Sequence, residues 1–202
     1  MRTGIFGGTF DPPHLGHVIL AVEAASQLSL DRVLWVLTPD PPHKLDKSKH
    51  PIDQRLELVK AVVALEEKFA FSDIELNRKG PHFALVTVRL LSQQYPDDSL
   101  IYLMGGDSLA NLHTWYKPME FLAACSGLGV MRRPGIDIDL ATIEDRLPGV
   151  LEKTAFIEVP LLEISSTDIR ARIADGLPYK YFLPERVYKL IQKYQFYMPP
   201  EV

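Results

Sequence analysis

Short apolar runs alternate along this chain with longer stretches whose apolar residues recur at helical spacing. The runs lie at 3–6, 33–37, 69–72, 100–104, 126–131 and 154–159, and continuous runs of this kind are typical of parallel strands covered on both faces. Amphipathic stretches follow Leu15, Pro51 and Phe83, which predicts helices between the strands. Strand, helix, strand order implies right-handed crossovers. The pattern therefore predicts a doubly wound α/β fold with a parallel sheet.

The first strand runs into Gly7-Gly8, and the helical spacing begins at Leu15. We expect the glycine pair to break the strand and to form a turn that leads into the helix. Glycines let backbone N–H groups approach a ligand closely, and the positive end of the following helix favours an anion at the same place. A phosphate group is the obvious candidate for that anion.

Two histidines, His14 and His17, lie three residues apart at the start of this helix. Residues at that spacing share one helical face, so both rings can lie above the helix end. There, imidazoles can donate hydrogen bonds to phosphoryl oxygens and offset charge that develops in the reaction. Neither the G-x-G-x-x-G spacing nor the G-x-x-x-x-G-K-[ST] loop is present. The competing interpretation is a capped helix whose histidines are surface residues.

The stretch from Gly7 to His17 resembles the first motif of the H-x-G-H nucleotidyltransferases, and in particular the bacterial nicotinate mononucleotide adenylyltransferases. The resemblance implies a Rossmann-like domain that joins the 5′-phosphate of a mononucleotide to the α-phosphate of ATP and releases pyrophosphate. It also implies roles for several residues of the motif. Those expected at ATP are Gly7, Gly8, Thr9 and Phe10, and those expected at the mononucleotide include Gly8 and Asp11.

A second motif begins at Glu163 and reads Ile-Ser-Ser-Thr-Asp-Ile-Arg from residue 164. Ser165 and Asp168 have capping-box spacing, which alone predicts only a helix start. Hydroxyls at such a start, with an arginine one turn further on, also suit an anion. The motif resembles the second motif of the same nucleotidyltransferases. The resemblance implies that ATP phosphates are held by Ser165, Ser166, Thr167 and Arg170.

Further cations follow two of the strands. Lys44, in a Pro-Pro-His-Lys loop after the second strand, is a candidate phosphate ligand, and the resemblance favours it over Lys47 and Lys49. Arg133 follows the fifth strand, where a basic pair suits ATP but is also a common surface turn. Arg55 lies near a helix amino terminus, which indicates a partner or ligand, or an ion pair with Asp53 or Glu57.

The mononucleotide half of the site is expected near the third predicted helix. Relatives have Ser-Tyr-Thr and then Asp-Thr before this helix, whereas here His82, Phe83 and Ala84 precede Val86-Thr87. Backbone N–H groups at the helix start could still hold the nicotinate carboxylate. Gly106 and Asp107 follow the fourth strand, where Asp107 either caps a helix or accepts a ribose hydroxyl, and Trp115 either stacks on the pyridine ring or belongs to the core.

Composition narrows the remaining possibilities. The 202 residues suit a single nucleotidyltransferase domain, 1–202, with a helical C-terminal portion from about 165. One cysteine, Cys125, suits a reducing cytoplasm, and no apolar stretch reaches membrane-spanning length. The net charge of −4 gives the protein no overall electrostatic attraction for nucleic acid, which is also negatively charged. We expect ATP and a pyridine mononucleotide as substrates, Mg²⁺ bridging the triphosphate, and no dedicated protein metal site.

Four alternatives stay open at this point. The acceptor could be nicotinamide mononucleotide or another phosphorylated molecule such as phosphopantetheine. The chain could be related to class I aminoacyl-tRNA synthetases, although it leaves no room for an anticodon-binding domain. It could also be a nucleotide sensor without catalysis, against which both histidines, Lys44 and Arg170 argue. The sequence does not decide between a monomer and a homo-oligomer.

Overall fold

The protein is built around one parallel β-sheet. The computed structural model describes residues 1–40, 50–132, 139–160 and 162–198. Its strands are β1 (Arg2–Gly8), β2 (Arg32–Leu37), β3 (Phe69–Ser72), β4 (Ser99–Gly105), β5 (Gly127–Arg132) and β6 (Thr154–Glu158). They lie in the order β3-β2-β1-β4-β5-β6, and every neighbouring pair is parallel. The predicted doubly wound parallel sheet is therefore confirmed.

Helices cover both faces of the sheet. They are α1 (Leu15–Gln27), α2 (Ile52–Val63), α3 (Ala84–Gln94), α4 (Gly106–Ala110), α5 (Pro118–Ala124), α6 (Leu140–Arg146), α7 (Ser166–Ala174) and α8 (Glu185–Tyr194). Apolar residues of α1, α2, α7 and α8 form the core of one face, and those of α3, α5 and α6 form the core of the other. Adjacent strand residues point to opposite faces. Accordingly, Phe6 lies in the first core and Ile5 in the second.

The glycine pair of the first motif does not end β1, contrary to the prediction. Gly7 pairs with Val36 and Gly8 with Leu37, so the strand continues through both glycines. The chain turns only afterwards, at Phe10, whose φ is +46°. A Cβ atom on Gly8 would lie 3.0 Å from the Phe10 ring. Gly8 is therefore required by the close return of the chain over the end of the strand rather than by a strained backbone angle.

The strand order reverses between β1 and β4, which lie side by side in the middle of the sheet. In open α/β sheets, ligands bind beyond the carboxyl ends of the strands at such a reversal. The relevant ends are Gly8 in β1 and Gly105 in β4. Within the described ranges, no helix is long and apolar enough to span a membrane.

Candidate functional site

A cavity of about 240 Å³ opens beyond the carboxyl ends of β1 and β4. Its floor comes from the ends of these two strands and of β2, and its walls come from the connection between β3 and α3 and from the segment after α4. The residues that line the cavity include Gly8, Thr38, Glu75, His82, Phe83, Ala84, Tyr102, Trp115 and Tyr116. The cavity lies where the strand order predicts a ligand.

The two histidines lie at the amino terminus of α1. His14 is the N-cap residue and is buried, and the centroids of the His14 and His17 rings are 3.7 Å apart. The His14 backbone N–H donates to His17 Nδ1 over 3.2 Å. Because Nδ1 accepts this bond, the proton of a neutral His17 ring lies on Nε2. The pair is thus a structured part of the helix start, and the prediction of a shared helical face is consistent with this geometry.

Phe10 packs into the core rather than facing open space. Its side chain is 1% exposed, and its ring contacts the rings of Phe6, Trp35 and His17 at centroid distances of 5.0–5.4 Å. The Phe10 ring therefore packs against His17 within a buried aromatic cluster, where ring faces and edges contact closely. The expected contact between Phe10 and ATP stays a prediction.

The second motif starts α7 and adjoins the first motif. Ser165 is the N-cap, and its Oγ accepts from the Asp168 backbone N–H over 3.1 Å, which confirms the predicted cap. Ser166 Oγ donates to the Pro12 carbonyl over 2.8 Å, and Arg170 Nη1 donates to the Asp11 carbonyl over 2.6 Å. The start of α7 is therefore bonded to the segment that leads into α1, although the two motifs are far apart in sequence.

Asp11 is not among the residues that line the cavity, and its expected contact with the mononucleotide stays a prediction. Its side chain is buried, and it accepts from the His50 backbone N–H over 3.3 Å. Its oxygens also lie 3.3 Å from His50 Nδ1 and 4.0 Å from Arg170 Nη1. Burial, with the neighbouring Asp11 charge, raises the pKa of Tyr197 beside them. Asp11 thus organises the protein around the first motif rather than facing the pocket.

Arg55 joins the two connections that follow β1 and β2 at the edge of the site. Its guanidinium is buried and donates to four backbone carbonyls, over 3.0 Å to those of Thr9, Thr38 and His50 and over 3.2 Å to that of Pro39. Neither Asp53 nor Glu57 is its partner, so the ion-pair alternative is wrong. Burial lowers the pKa of Arg55, an effect that Asp11 opposes. Its hydrogen-bond partners are thus backbone carbonyls of the connections after β1 and β2.

The connection before α3 forms one wall of the cavity. His82 is buried, and its Nε2 lies 3.0 Å from the Glu75 carbonyl and 3.3 Å from the Arg78 carbonyl. The Thr87 hydroxyl donates to Glu75 Oε1. His82 therefore holds the connection in shape, and the Thr87 hydroxyl is directed at Glu75.

Aromatic side chains form the opposite wall. Trp115 packs at 6.0 Å and 81° from the Tyr102 ring and at 5.3 Å from the Phe121 ring. Phe83 and Tyr116 stack face to face, with centroids 4.2 Å apart and planes at 16°. Such rings offer apolar surfaces on which a flat heteroaromatic ring can stack. Trp115 both packs on the core and lines the cavity, so the two interpretations from the sequence are compatible.

The remaining predicted site residues lie at the edges of the site or outside the residues that the structure describes. Gly106 is buried at the start of α4, while Asp107 is exposed in its first turn and does not cap it, because Gly105 is the N-cap. Neither lines the cavity. Gly7, Gly8 and Thr9 line it, and Ala84 begins α3. The predictions for Lys44 and Arg133 lie outside the described residues.

Several lining residues were not singled out from the sequence: Thr38, Glu75, Tyr102 and Tyr116. Glu75 lies between a strand end and the predicted pyridine segment, but nothing in the sequence distinguishes it from the other polar residues of that connection. In the described parts of the chain, no group of three His, Cys, Asp or Glu residues could hold a metal ion.

Comparisons with known proteins agree with this geometry. The cytidylyltransferase-like family model matches residues 5–172. The probable nicotinate-nucleotide adenylyltransferase of Thermomicrobium roseum is 40% identical over 99% of this chain and 93% of its own length. That of Exiguobacterium sibiricum is 39% identical over 98% and 99%.

A solved structure of Plasmodium falciparum nicotinic acid mononucleotide adenylyltransferase, complexed with NaAD, has a TM-score of 0.78 at 18% identity and covers 97% of both chains. At that identity, the likeness shows the fold alone. The family match and the full-length relatives show more. This chain belongs to the cytidylyltransferase-like family and, within it, to the group of the nicotinate-nucleotide adenylyltransferases.

Proposed function

We propose that the protein transfers the adenylyl group of ATP to nicotinate mononucleotide, which forms the dinucleotide precursor of NAD and releases pyrophosphate. The observation that carries the proposal is the junction of the two motifs. Ser166 of α7 donates to the Pro12 carbonyl shortly before α1, and Gly7, Gly8 and Thr9 of the same first motif line the cavity at the strand reversal. Two neighbouring helix amino termini suit the phosphates of ATP. The full-length relatives carry the name of this activity.

The chemistry requires positioning and charge stabilisation more than proton transfer. The attacking group is a phosphate that is already ionised at neutral pH, so no general base is needed, and the attack on the α-phosphate is direct and in line. His14 and His17 would offer hydrogen-bond donors to the α-phosphate. For His17, the donor is Nε2–H, because Nδ1 accepts the His14 N–H.

The leaving pyrophosphate would be held from the side of α7. Ser165, Ser166 and Thr167 present hydroxyls and backbone N–H groups at the start of that helix. Arg170 lies one turn further in and is partly exposed, so its remaining donors can reach phosphate oxygens. Lys44 and Arg133 are proposed as additional phosphate ligands on the strength of the sequence alone.

The mononucleotide would occupy the cavity. A volume of about 240 Å³ suits one ring with its sugar rather than a whole dinucleotide. Trp115 would stack on the pyridine ring, and the first N–H groups of α3, around Phe83 and Ala84, have no partner within that helix. These donors and the positive helix end favour a carboxylate, which is why we assign nicotinate rather than nicotinamide.

Mg²⁺ would bridge the triphosphate of bound ATP and offset its charge. We further propose that the described chain acts as one domain in the cytoplasm, without nucleic acid or membrane partners. A single sheet with an apolar core on each face supports the assignment of one domain.

The proposal is tested by pyrophosphate release with ATP, Mg²⁺ and each of three acceptors: nicotinate mononucleotide, nicotinamide mononucleotide and phosphopantetheine. We expect the highest kcat/KM with nicotinate mononucleotide. Release with none of the acceptors would overturn the catalytic assignment in favour of a sensor. A ratio of nicotinate to nicotinamide mononucleotide at or below one would overturn the choice of substrate.

A further inference from the structure

Glu75 is a buried carboxyl in the cavity wall that the adenylyl transfer, as described above, does not use. It is 4% exposed and belongs to the connection between β3 and α3. Oε1 accepts the Thr87 hydroxyl, whereas Oε2 is buried and accepts no hydrogen bond of normal geometry, and the Thr38 hydroxyl lies near enough to lower the pKa of the carboxyl. A buried carboxylate that is not fully satisfied is costly, and such groups concentrate at binding sites. Because Glu75 also lines the cavity, its carboxyl is a candidate ligand contact.

The groups around this carboxyl come from four parts of the chain. Arg78 and His82 belong to its own connection, Thr87 to α3, Thr38 to the end of β2 and Tyr102 to β4. Arg78 Nη2 lies 3.8 Å from Oε1. That guanidinium is shared, because it also donates to the Pro81 carbonyl and to the Thr87 hydroxyl.

Burial raises the pKa of Glu75 above its ordinary value. The Thr87 and Thr38 hydroxyls and the Arg78 charge act in the opposite direction and do not overcome it. The acid form of Glu75 therefore persists to higher pH than it would at an exposed glutamate.

The two protonation forms of Glu75 would recognise different ligands. A protonated carboxyl can donate to a carboxylate, while an ionised carboxyl accepts only from a donor such as a carboxamide N–H and repels a second carboxylate. Nicotinate and nicotinamide mononucleotides differ in this one substituent. A carboxyl whose protonation can change inside the pocket is therefore able to discriminate between them.

We propose that Glu75 is a specificity-determining residue, whose carboxyl meets the ring substituent of the pyridine substrate and accepts the nicotinate carboxylate only when it carries a proton. The inference rests on the proposed function, because it assumes a pyridine mononucleotide in the cavity. At a pH where Glu75 of the free protein is ionised, nicotinate mononucleotide must bring one proton into the complex, which is then shared between the two carboxyl groups. Nicotinamide mononucleotide needs no such proton.

The test measures proton uptake on binding by calorimetry in two buffers of different ionisation enthalpy, with each mononucleotide and without ATP. The 5′-phosphate also titrates, but it is common to both ligands, so the difference between the ligands isolates the ring substituent. We expect extra proton uptake with nicotinate mononucleotide that grows with pH. We also expect the ratio of the two kcat/KM values to fall by roughly tenfold or more as pH rises through the titration of Glu75.

Glu75→Gln removes the titratable group at position 75 but keeps the shape of the side chain and an oxygen that can accept the Thr87 hydroxyl. In this variant the extra uptake should vanish and the substrate ratio should become independent of pH, while the exposed control Glu66→Gln should behave as the unaltered protein. Equal proton uptake for both ligands in the unaltered protein would overturn the inference, as would a difference that persists in Glu75→Gln. The first of these measurements needs no variant. Absence of pyrophosphate release with either mononucleotide would instead refute the proposed function.

Discussion

Replacement of Arg55 by methionine should loosen the connections that follow β1 and β2 at once. Methionine keeps much of the apolar stem but removes every donor, so the carbonyls of Thr9, Thr38, Pro39 and His50 lose the guanidinium. The bond to the Thr38 carbonyl is fully buried, while the other three are partly accessible to water. The loss should therefore fall mainly on one buried carbonyl, with smaller contributions from the rest.

A buried carbonyl left without a donor costs about 1–3 kcal/mol. The three partly accessible carbonyls exchange bonds to a charged donor for bonds to water, and removal of the buried cation recovers part of its desolvation cost. Together, these contributions predict a decrease of about 2–4 kcal/mol in the free energy of unfolding. Urea denaturation measures it as a lower midpoint with an unchanged slope.

Two controls make this measurement specific. Arg55→Lys retains the charge but has a point-like donor group that cannot reach all four carbonyls, so an intermediate loss is expected. Arg89→Met makes the same substitution on α3, where the side chain is exposed and pairs with Glu120, and should cost less than about 1 kcal/mol. A loss in Arg55→Met no larger than that in Arg89→Met would refute the view that Arg55 joins the loops.

Three further outcomes are expected. His17→Ala should lower the turnover in pyrophosphate release by on the order of a hundredfold with the fold intact, and a loss under about tenfold would mean that the phosphate site is misplaced. Ser166→Ala should raise the KM for ATP, because it frees the Pro12 carbonyl from α7, while Ser166→Thr should restore it; an unchanged KM in the alanine variant contradicts the junction of the motifs. The pKa of Glu75 is raised in the folded state, so its ionisation lowers the free energy of unfolding as pH rises above the unfolded glutamate pKa. Urea denaturation at several pH values should therefore show that Glu75→Gln becomes more stable relative to the unaltered protein as pH rises. A difference in stability that does not change with pH would refute the raised pKa.

The positions of the strands could be predicted from the sequence to within one or two residues. Continuous apolar runs are sufficient for this, because a parallel strand buried on both faces has no polar alternation that would confuse it with an exposed segment. The location of the cavity could also be predicted, because the carboxyl ends of parallel strands meet at one edge of the sheet. The cap of α7 at Ser165 was equally predictable, because it depends on neighbours three residues away.

The partners of the buried polar side chains could not be predicted. Arg55 donates to backbone carbonyls of two connections, and every residue has such a carbonyl, so no residue type marks the partner. The same holds for Asp11, whose partners include His50, and for His82, whose ring lies against the Glu75 carbonyl. Glu75 itself looked like an ordinary polar residue in a connection. Its burial depends on the packing of α3 and β4 around it.

What the sequence alone determined is therefore local: which segments are strands and helices, which helix starts have anion-binding chemistry, and, through the resemblance, which family the motifs indicate. Only the tertiary structure decided that the Ser166 hydroxyl meets the Pro12 carbonyl, that the Phe10 ring packs against His17, and that Glu75 lies in the pocket wall. The physical reason is that local patterns depend on neighbouring residues, whereas burial and hydrogen-bond partners depend on segments that meet only when the sheet is assembled.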